Sequence, residues 1–268
     1  MERLGDSKMT CVLERKAQIK TNKHLTDHLY VMELIVEDIP SLVLPGQFVH
    51  VQIPGMEGHI LRRPFSVYHT KQSENKLTIL YQIVGFGTQK MTTLGAGDTV
   101  DVMGPIGHGW TIPATCQSAL LVGGGVGAAP LYMHAQELYK ADVSVDVVLG
   151  AQTEAALVCK DRYEALLGQS VPCSTDDGTY GYHGFCTDLV SKSLDKRSYD
   201  YVACCGPEPM MKAVCAITLD RGIPTFVSLE KRMACGIGAC LSCVVETTNG
   251  LKRSCVDGPV FNASEVIW

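Results

Sequence analysis

Over the first hundred residues, apolar and polar positions alternate in short runs: TCVLERKAQIK, HLYVMELIV, QFVHVQI, FSVYH, KLTILYQIV and DTVDVMG. Alternation with a period of two marks strands buried on one face. Turn residues lie between the runs, at PGQ (45–47), PGMEG (54–58) and GAGD (95–98). Six short strands with no long helix between them predict a small antiparallel barrel.

From Ser118 the pattern changes. SALLVGGGVGAAPLYMHAQELYK is an apolar strand, a glycine turn, and then a helix with Leu131 and Leu138 on one side. Strand-like runs recur at VSVDVVLGA (143–151), VPCSTDDG (171–178) and YDYVACCGP (199–207), with helical stretches between them. Such alternation predicts a parallel sheet with helices on both faces, and ligands of these sheets gather at the carboxyl ends of the strands. The glycines, Asp176, Asp177, Gly178 and Cys205-Gly206-Pro207 all fall at those ends. The chain contains no internal repeat and no low-complexity segment.

Composition narrows the function classes. At 268 residues, 46% apolar and 19% charged, the chain is long enough for one large or two to three small domains with real cores. The net charge of −5, with no Lys/Arg-rich run, argues against a nucleic-acid binder, which needs a basic face. Apolar runs such as SALLV (118–122) fall far short of the roughly 18 to 20 residues of a bilayer span. The opening MERLGDSKMT has no apolar signal region, so a cytoplasmic protein is expected. Twelve cysteines are then a poor fit to a disulfide framework. Cys11, Cys116, Cys159, Cys173, Cys186 and Cys215, scattered among apolar or strand-like residues, are expected to be small buried hydrophobes.

The C-terminal cysteines differ. Cys235, Cys240, Cys243 and Cys255 form C-x4-C-x2-C-x11-C, the plant-type arrangement in which four thiolates hold a 2Fe-2S cluster. Gly236 and Gly238 allow the tight wrap that three close ligands need. The competing reading is structural zinc, but that usually shows two short C-x2-C pairs, and there is one here.

Two further places suit phosphates. The turn Gly123, Gly124, Gly125, Gly127, ending at Pro130, joins a strand to a helix N-terminus, a pyrophosphate site unless it is simply a tight turn. In the barrel region, LRRPFSVY places Arg62, Arg63 and Ser66 at a strand start, and GFGTQKM places Gly85, Gly87 and Thr88 at a short helix start. A charged donor and backbone amides together suit the pyrophosphate of a dinucleotide such as FAD. After the second strand of the sheet, LGAQTEAAL offers Glu154 and no arginine for a 2′-phosphate, which favours NAD over NADP.

R-P-F-S, G-x-G-T, GGGVGAAP, CGP and the cysteine motif, in this order, resemble the ferredoxin reductase superfamily with an appended cluster domain. SLEKRMACGIGACLSCVV, DDGTYGYHGF and SCVDGPVF most resemble the electron-transfer subunits of class 1B, NAD-dependent dihydroorotate dehydrogenases. The resemblance implies three parts: an antiparallel FAD-binding barrel (1–113), a doubly wound parallel NAD-binding sheet (114–227) and a small 2Fe-2S domain (228–268). It implies that Arg63 faces the FAD phosphates within Arg63, Pro64, Phe65 and Ser66, that Ser66 sits by the reactive flavin edge, and that Gly87 and Thr88 make a second pyrophosphate contact. Gly123 to Gly127 and Pro130 match the nicotinamide-dinucleotide loop. Cys205, followed by Gly206 and Pro207, matches a cysteine near the nicotinamide, although the doubled Cys204-Cys205 leaves open which thiol faces it. The four clustered cysteines match the cluster ligands.

The implied partner is an FMN-containing catalytic subunit that oxidises dihydroorotate in pyrimidine biosynthesis, in a heterotetramer of two heterodimers. Electrons would pass through the cluster and FAD to NAD. Rival readings are the flavin and cluster subunit of a sulfhydrogenase or of a ferredoxin-dependent NAD(P) oxidoreductase, a zinc-stabilised interaction module, and a stand-alone reductase.

Overall fold

The structure, a computed structural model, describes residues 11–56 and 58–268. The opening MERLGDSKMT, including Thr10 of the first strand-like run, and Glu57 of the PGMEG turn lie outside the described residues.

The alternating runs form the strands they predict: β1 (Leu13–Thr26), β2 (Leu29–Ile35), β3 (Phe48–Gln52), β4 (Arg63–Lys71), β5 (Lys76–Gln82) and β6 (Thr99–Ile106). Two short helices, α1 (Ile39–Leu42) and α2 (Phe86–Met91), lie in the connections. The strands pair antiparallel in the order β1-β2-β5-β4-β3-β6, and β1 closes on β6 through Leu13 opposite Gly104, so no edge is left open. Alternate residues such as Ala17, Met32, Val49, Val51, Ile79 and Val102 fill the interior and are almost fully buried.

The second half contains β7 (Ser118–Gly124), α3 (Ala129–Lys140), β8 (Ser144–Ala151), α4 (Lys160–Leu167), β9 (Cys173–Thr175), β10 (Tyr182–His183), α5 (Cys186–Lys196), β11 (Tyr201–Cys205), α6 (Glu208–Asp220) and β12 (Thr225–Ser228). These strands are parallel, in the order β10-β9-β8-β7-β11-β12. They are covered on both faces, as their nearly continuous apolar sequences require. Leu121, Val147 and Ala203 pack with Leu131 and Tyr163 of α3 and α4. Leu120, Val148 and Val202 pack on the other side with Val190 of α5 and Val214 of α6. The chain reverses direction across the sheet at β7, which has β8 on one side and β11 on the other; that is the switch point where such sheets bind ligands.

The C-terminal segment contributes a hairpin, β13 (Val244–Thr247) and β14 (Gly250–Arg253), and then β15 (Val260–Asn262). β15 joins the main sheet, antiparallel to β12, with Ser228 opposite Val260. The segment also touches the barrel: the amide of His108 donates to the Gly258 carbonyl at 2.6 Å. A methyl group added at Gly107 would lie 2.6 Å from that carbonyl oxygen, so glycine is needed for the approach. Barrel and sheet meet where α3 packs on β4, and Trp110 Nε1 donates to the Pro130 carbonyl at 3.2 Å.

Two cysteines differ from expectation. Cys159, Cys173, Cys186 and Cys215 are buried, but Cys11 is exposed and Cys116 only half-buried. Both lie at strand approaches, Cys11 just before β1 and Cys116 just before β7, where Cys116 packs against the edge of the core. No helix among the described residues is long and apolar enough to cross a membrane.

Candidate functional site

On β4, antiparallel pairing sets Ser66 opposite Phe48 and Pro64 opposite His50 of β3, so these four side chains share one face. Phe65 points the other way, onto the barrel core, with its ring edge-on to Tyr81 at 6.0 Å. The two arginines separate. Arg62 is used within the barrel: its guanidinium donates to the Asp101 carbonyl at 3.1 Å and pairs with Glu14. Arg63 lies over the start of α2, where a methyl group on Gly87 would sit 2.8 Å from its Nε. Two motifs 24 residues apart are thereby brought together, with a cationic fork above helix-start amides.

Thr88 turns its hydroxyl inward. Its Oγ1 accepts from the amides of Val84 (2.9 Å) and Gly85 (3.2 Å) and donates to the Gly85 carbonyl at 3.0 Å, so the hydroxyl shapes the turn and only the backbone there is left for a ligand. A cleft of about 330 Å³ opens nearby, lined by Ile53, Pro54, Met56, His59 and Ile60. Gln52, Thr99 and Asp101 also line it, so its walls are mixed rather than apolar.

At the switch point the glycines have distinct roles. A methyl group at Gly127 would meet the Cys205 carbonyl oxygen and the Gly206 nitrogen at 2.6 Å, and one at Gly124 would meet Met210 Sδ at 2.4 Å. Both are needed for the β7 turn to lie against the β11 turn. Gly125, by contrast, has φ +54° and open space around it, leaving backbone accessible to a pyrophosphate. Tyr163 anchors the turn by donating to the Ala128 carbonyl at 2.7 Å.

Adjacent residues of β11 face opposite ways. Cys204 is sealed among Cys186, Val190 and Cys215 beneath α5 and α6, whereas Cys205 ends the strand on the α3 side. Both thiols are pushed up by burial, and Cys205 also feels the carboxylate of Glu230. Glu230 is reached by solvent yet hemmed in by protein, and desolvation raises its carboxyl above the ordinary value.

The thiol loop turns on Gly236 (φ +69°) and Gly238 (φ +80°), both in the left-handed region. The amides of Ile237 and Cys240 both point at Cys235 Sγ, at 3.4 Å. Cys240 is exposed; the Ser242 hydroxyl at 3.1 Å and nearby amides pull its thiol down to about 6. Cys243 and Cys255 are buried with Phe48 and Ile106 of the barrel. Burial, with Cys243 beside it, pushes Cys255 up to about 12. Arg253 binds Asp257 at 3.2 Å and reaches the Gly238 carbonyl at 3.5 Å, tying the 250s loop to the thiol loop. No three His, Cys, Asp or Glu side chains among the described residues converge as a single metal ion requires. A 2Fe-2S cluster divides its four thiolates between two irons, so it does not ask for three protein ligands on one ion.

The predicted residues therefore form three clusters around one junction. Sequence reasoning missed two residues: His50, which faces Gly236, and Glu230, whose charge acts on Cys205. Glu230 lies in SLEKRM, directly before the thiol loop, and that placement could have flagged it. His50, an ordinary strand residue in FVHVQ, carries no signal.

A barrel with an Arg-Pro-Phe-Ser strand, a switch-point glycine turn and a thiol loop define a ferredoxin reductase-type flavoprotein with an iron-sulfur segment. Family models match accordingly: an oxidoreductase FAD-binding domain over 11–110, an oxidoreductase NAD-binding domain over 121–216, and the iron-sulfur cluster binding domain of dihydroorotate dehydrogenase B over 230–267. The electron transfer subunit of dihydroorotate dehydrogenase B (NAD(+)) from Desulforamulus reducens is 37% identical over 243 residues, covering 89% of this chain and 92% of that one. Its counterpart from Geobacillus thermodenitrificans is 38% identical over 272 residues, covering 98% and 99%. The chain belongs to this family of electron transfer subunits. Among solved structures, an NADH-dependent reduced ferredoxin-NADP oxidoreductase matches with a TM-score of 0.84 and 32% identity, over 94% of this chain and 90% of that one.

Proposed function

We propose that this chain is the electron-transfer subunit of an NAD-dependent dihydroorotate dehydrogenase. In this reading electrons leave dihydroorotate in an FMN-containing partner subunit and reach NAD+ by way of a 2Fe-2S cluster and FAD, as a step of pyrimidine biosynthesis. Once bound, the flavin can exchange either a hydride or single electrons, and so links the two-electron nucleotide to the one-electron cluster. The chain's own work is to hold, orient and shield.

Arg63 and the Gly87 backbone would hold the FAD pyrophosphate, with Ser66 by the reactive edge and Pro64 and Phe65 fixing the strand. Gly123, Gly124, Gly125, Gly127 and Pro130 would hold the nucleotide, and Cys205, Gly206 and Pro207 would border the nicotinamide; Cys204, under the helices, would not. Cys235, Cys240, Cys243 and Cys255 would ligate the cluster. Units of 1–113, 114–227 and 228–268, a cytoplasmic location and a heterotetramer of two heterodimers belong to the same proposal.

The observation that carries the reading is the three-way junction: the cysteine segment adds β15 to the nucleotide sheet while its loop presses on the flavin wall at His50. Electron transfer needs this closeness, and a zinc-stapled module does not. Ile237 and Leu241, 59% and 60% exposed on either side of Cys240, offer an apolar rim for a partner.

The test is anaerobic purification from the native host with whatever co-purifies. We expect dihydroorotate to reduce NAD+ in that sample, with FMN in the partner. If FAD and cluster are present and dihydroorotate is inert, the relay stands and the substrate assignment falls. The 32% identity to a chain of a reduced ferredoxin-NADP oxidoreductase then favours a sibling complex.

A further inference from the structure

Among the described residues, His50 is a buried ring of the barrel wall for which the fold supplies a hydrogen-bond partner to neither ring nitrogen. Its side chain is 0% exposed, and neither Nδ1 nor Nε2 has a hydrogen-bond partner. An imidazole always carries at least one N–H, and a donor buried without an acceptor is costly enough that such groups are rare. Alternation along β3 explains where the ring goes. Val49 and Val51 point into the barrel, so Phe48 and His50 point outward, onto the wall that Cys243 and Cys255 pack against.

Two of its neighbours on that wall are apolar: Phe48, whose ring lies 5.7 Å away, and Met103, paired opposite on β6. The Nδ1–Cε1 edge closes on the thiol loop. A methyl group added at Gly236 would lie 2.9 Å from Cε1 and 3.1 Å from Nδ1. Gly236 directly follows Cys235, the sulfur toward which two loop amides already point. Desolvation first, then the charge of Arg62, lowers the ring to about 4, so it is neutral at ordinary pH and can donate without adding a full charge.

We propose that His50, on β3 of the flavin barrel, donates a hydrogen bond from its Nδ1 edge to the sulfur shell of the 2Fe-2S cluster held by the thiol loop, and thereby raises the cluster's electron affinity. The inference rests on reading 235–255 as a cluster site. Hydrogen bonds to cluster sulfurs stabilise the more negative, reduced state, which is how a protein raises such a potential. Gly236 then serves twice, since besides adopting a left-handed φ it leaves room for the ring.

The test uses the full chain with its co-purifying partner, labelled with ¹⁵N-histidine and reduced anaerobically with dithionite. Pulsed EPR of the reduced cluster should show a histidine-nitrogen coupling that disappears in His50→Phe. Redox titration followed by EPR should show His50→Phe lowering the cluster's electron affinity about tenfold, 59 mV for one electron. His50→Gln, which keeps an N–H donor, should recover most of that loss. The proposal is overturned by a cluster signal without histidine coupling, by coupling that survives His50→Phe, by coupling found on the flavin radical instead, or by an unmoved potential. If His50→Phe does not take up iron, the labelled unmutated spectrum and the His50→Gln titration decide. Absence of any cluster signal in the unmutated protein would instead overturn the cluster reading itself.

Discussion

At Gly236 two demands meet in one residue. Its φ of +69° is costly for any side chain, and its Cα faces the His50 ring too closely for a Cβ. The glycine was legible in the sequence as a bend between ligands; its second reason was not, because His50 lies 186 positions away. Arg62 and Arg63, adjacent in sequence and alike in chemistry, separate in the same way: one is held by Glu14 and the Asp101 carbonyl, and the other, donating to the Leu61 carbonyl, lies over α2. Glu154 follows β8 in a short turn, and in the proposed nucleotide site it would set an acidic group where a 2′-phosphate needs a cation. NADPH should therefore reduce the flavin at least tenfold more slowly than NADH in stopped-flow mixing, and equal rates would overturn that selectivity.

Turns, more than strands, carry the chemistry at the level of elements. The β7 and β11 turns touch backbone to backbone, and Gly127 is where they do so, 2.6 Å from Cys205 O for any added methyl group. Gly127→Ala should push the turns apart, costing about 1 to 3 kcal/mol by overpacking. The expected signature is a KM for NADH raised about tenfold or more, a lower melting temperature, and unchanged FAD and iron content. An unchanged KM would mean that the loop does not shape the nucleotide site. β15 is the element that alternation could not place. Its three residues read as a fragment of the cysteine segment, yet they finish the sheet beside β12.

For the whole molecule, the cluster segment is wedged between the other two parts, held by β15 on one side and by Gly258 and Gly236 on the other. Cys243 and Cys255 are buried in that wedge, whereas Cys240 stands at its exposed tip. Cys240→Ser should therefore leave the packing intact, remove the cluster and its EPR signal, and stop electron transfer between subunits. Reduction of bound FAD by NADH should continue. Loss of that reaction as well would mean that barrel and sheet do not operate independently of the cluster.

Local periodicity determined the barrel, the layered sheet and their order along the chain, because period-two alternation, apolar runs and glycine turns are properties of neighbouring residues. The cysteine spacing marked the candidate cluster ligands for a similar reason: three of the four lie within nine residues, so the loop itself sets most of their geometry. Tertiary structure alone decided which of two arginines lies over α2, which of two cysteines lies on the α3 side of the sheet, and that a histidine in a plain strand reaches the thiol loop. Each of those outcomes depends on the direction of a side chain relative to an element far away in sequence. Close packing between separate parts of the chain fixes that direction, and no window along the chain contains it.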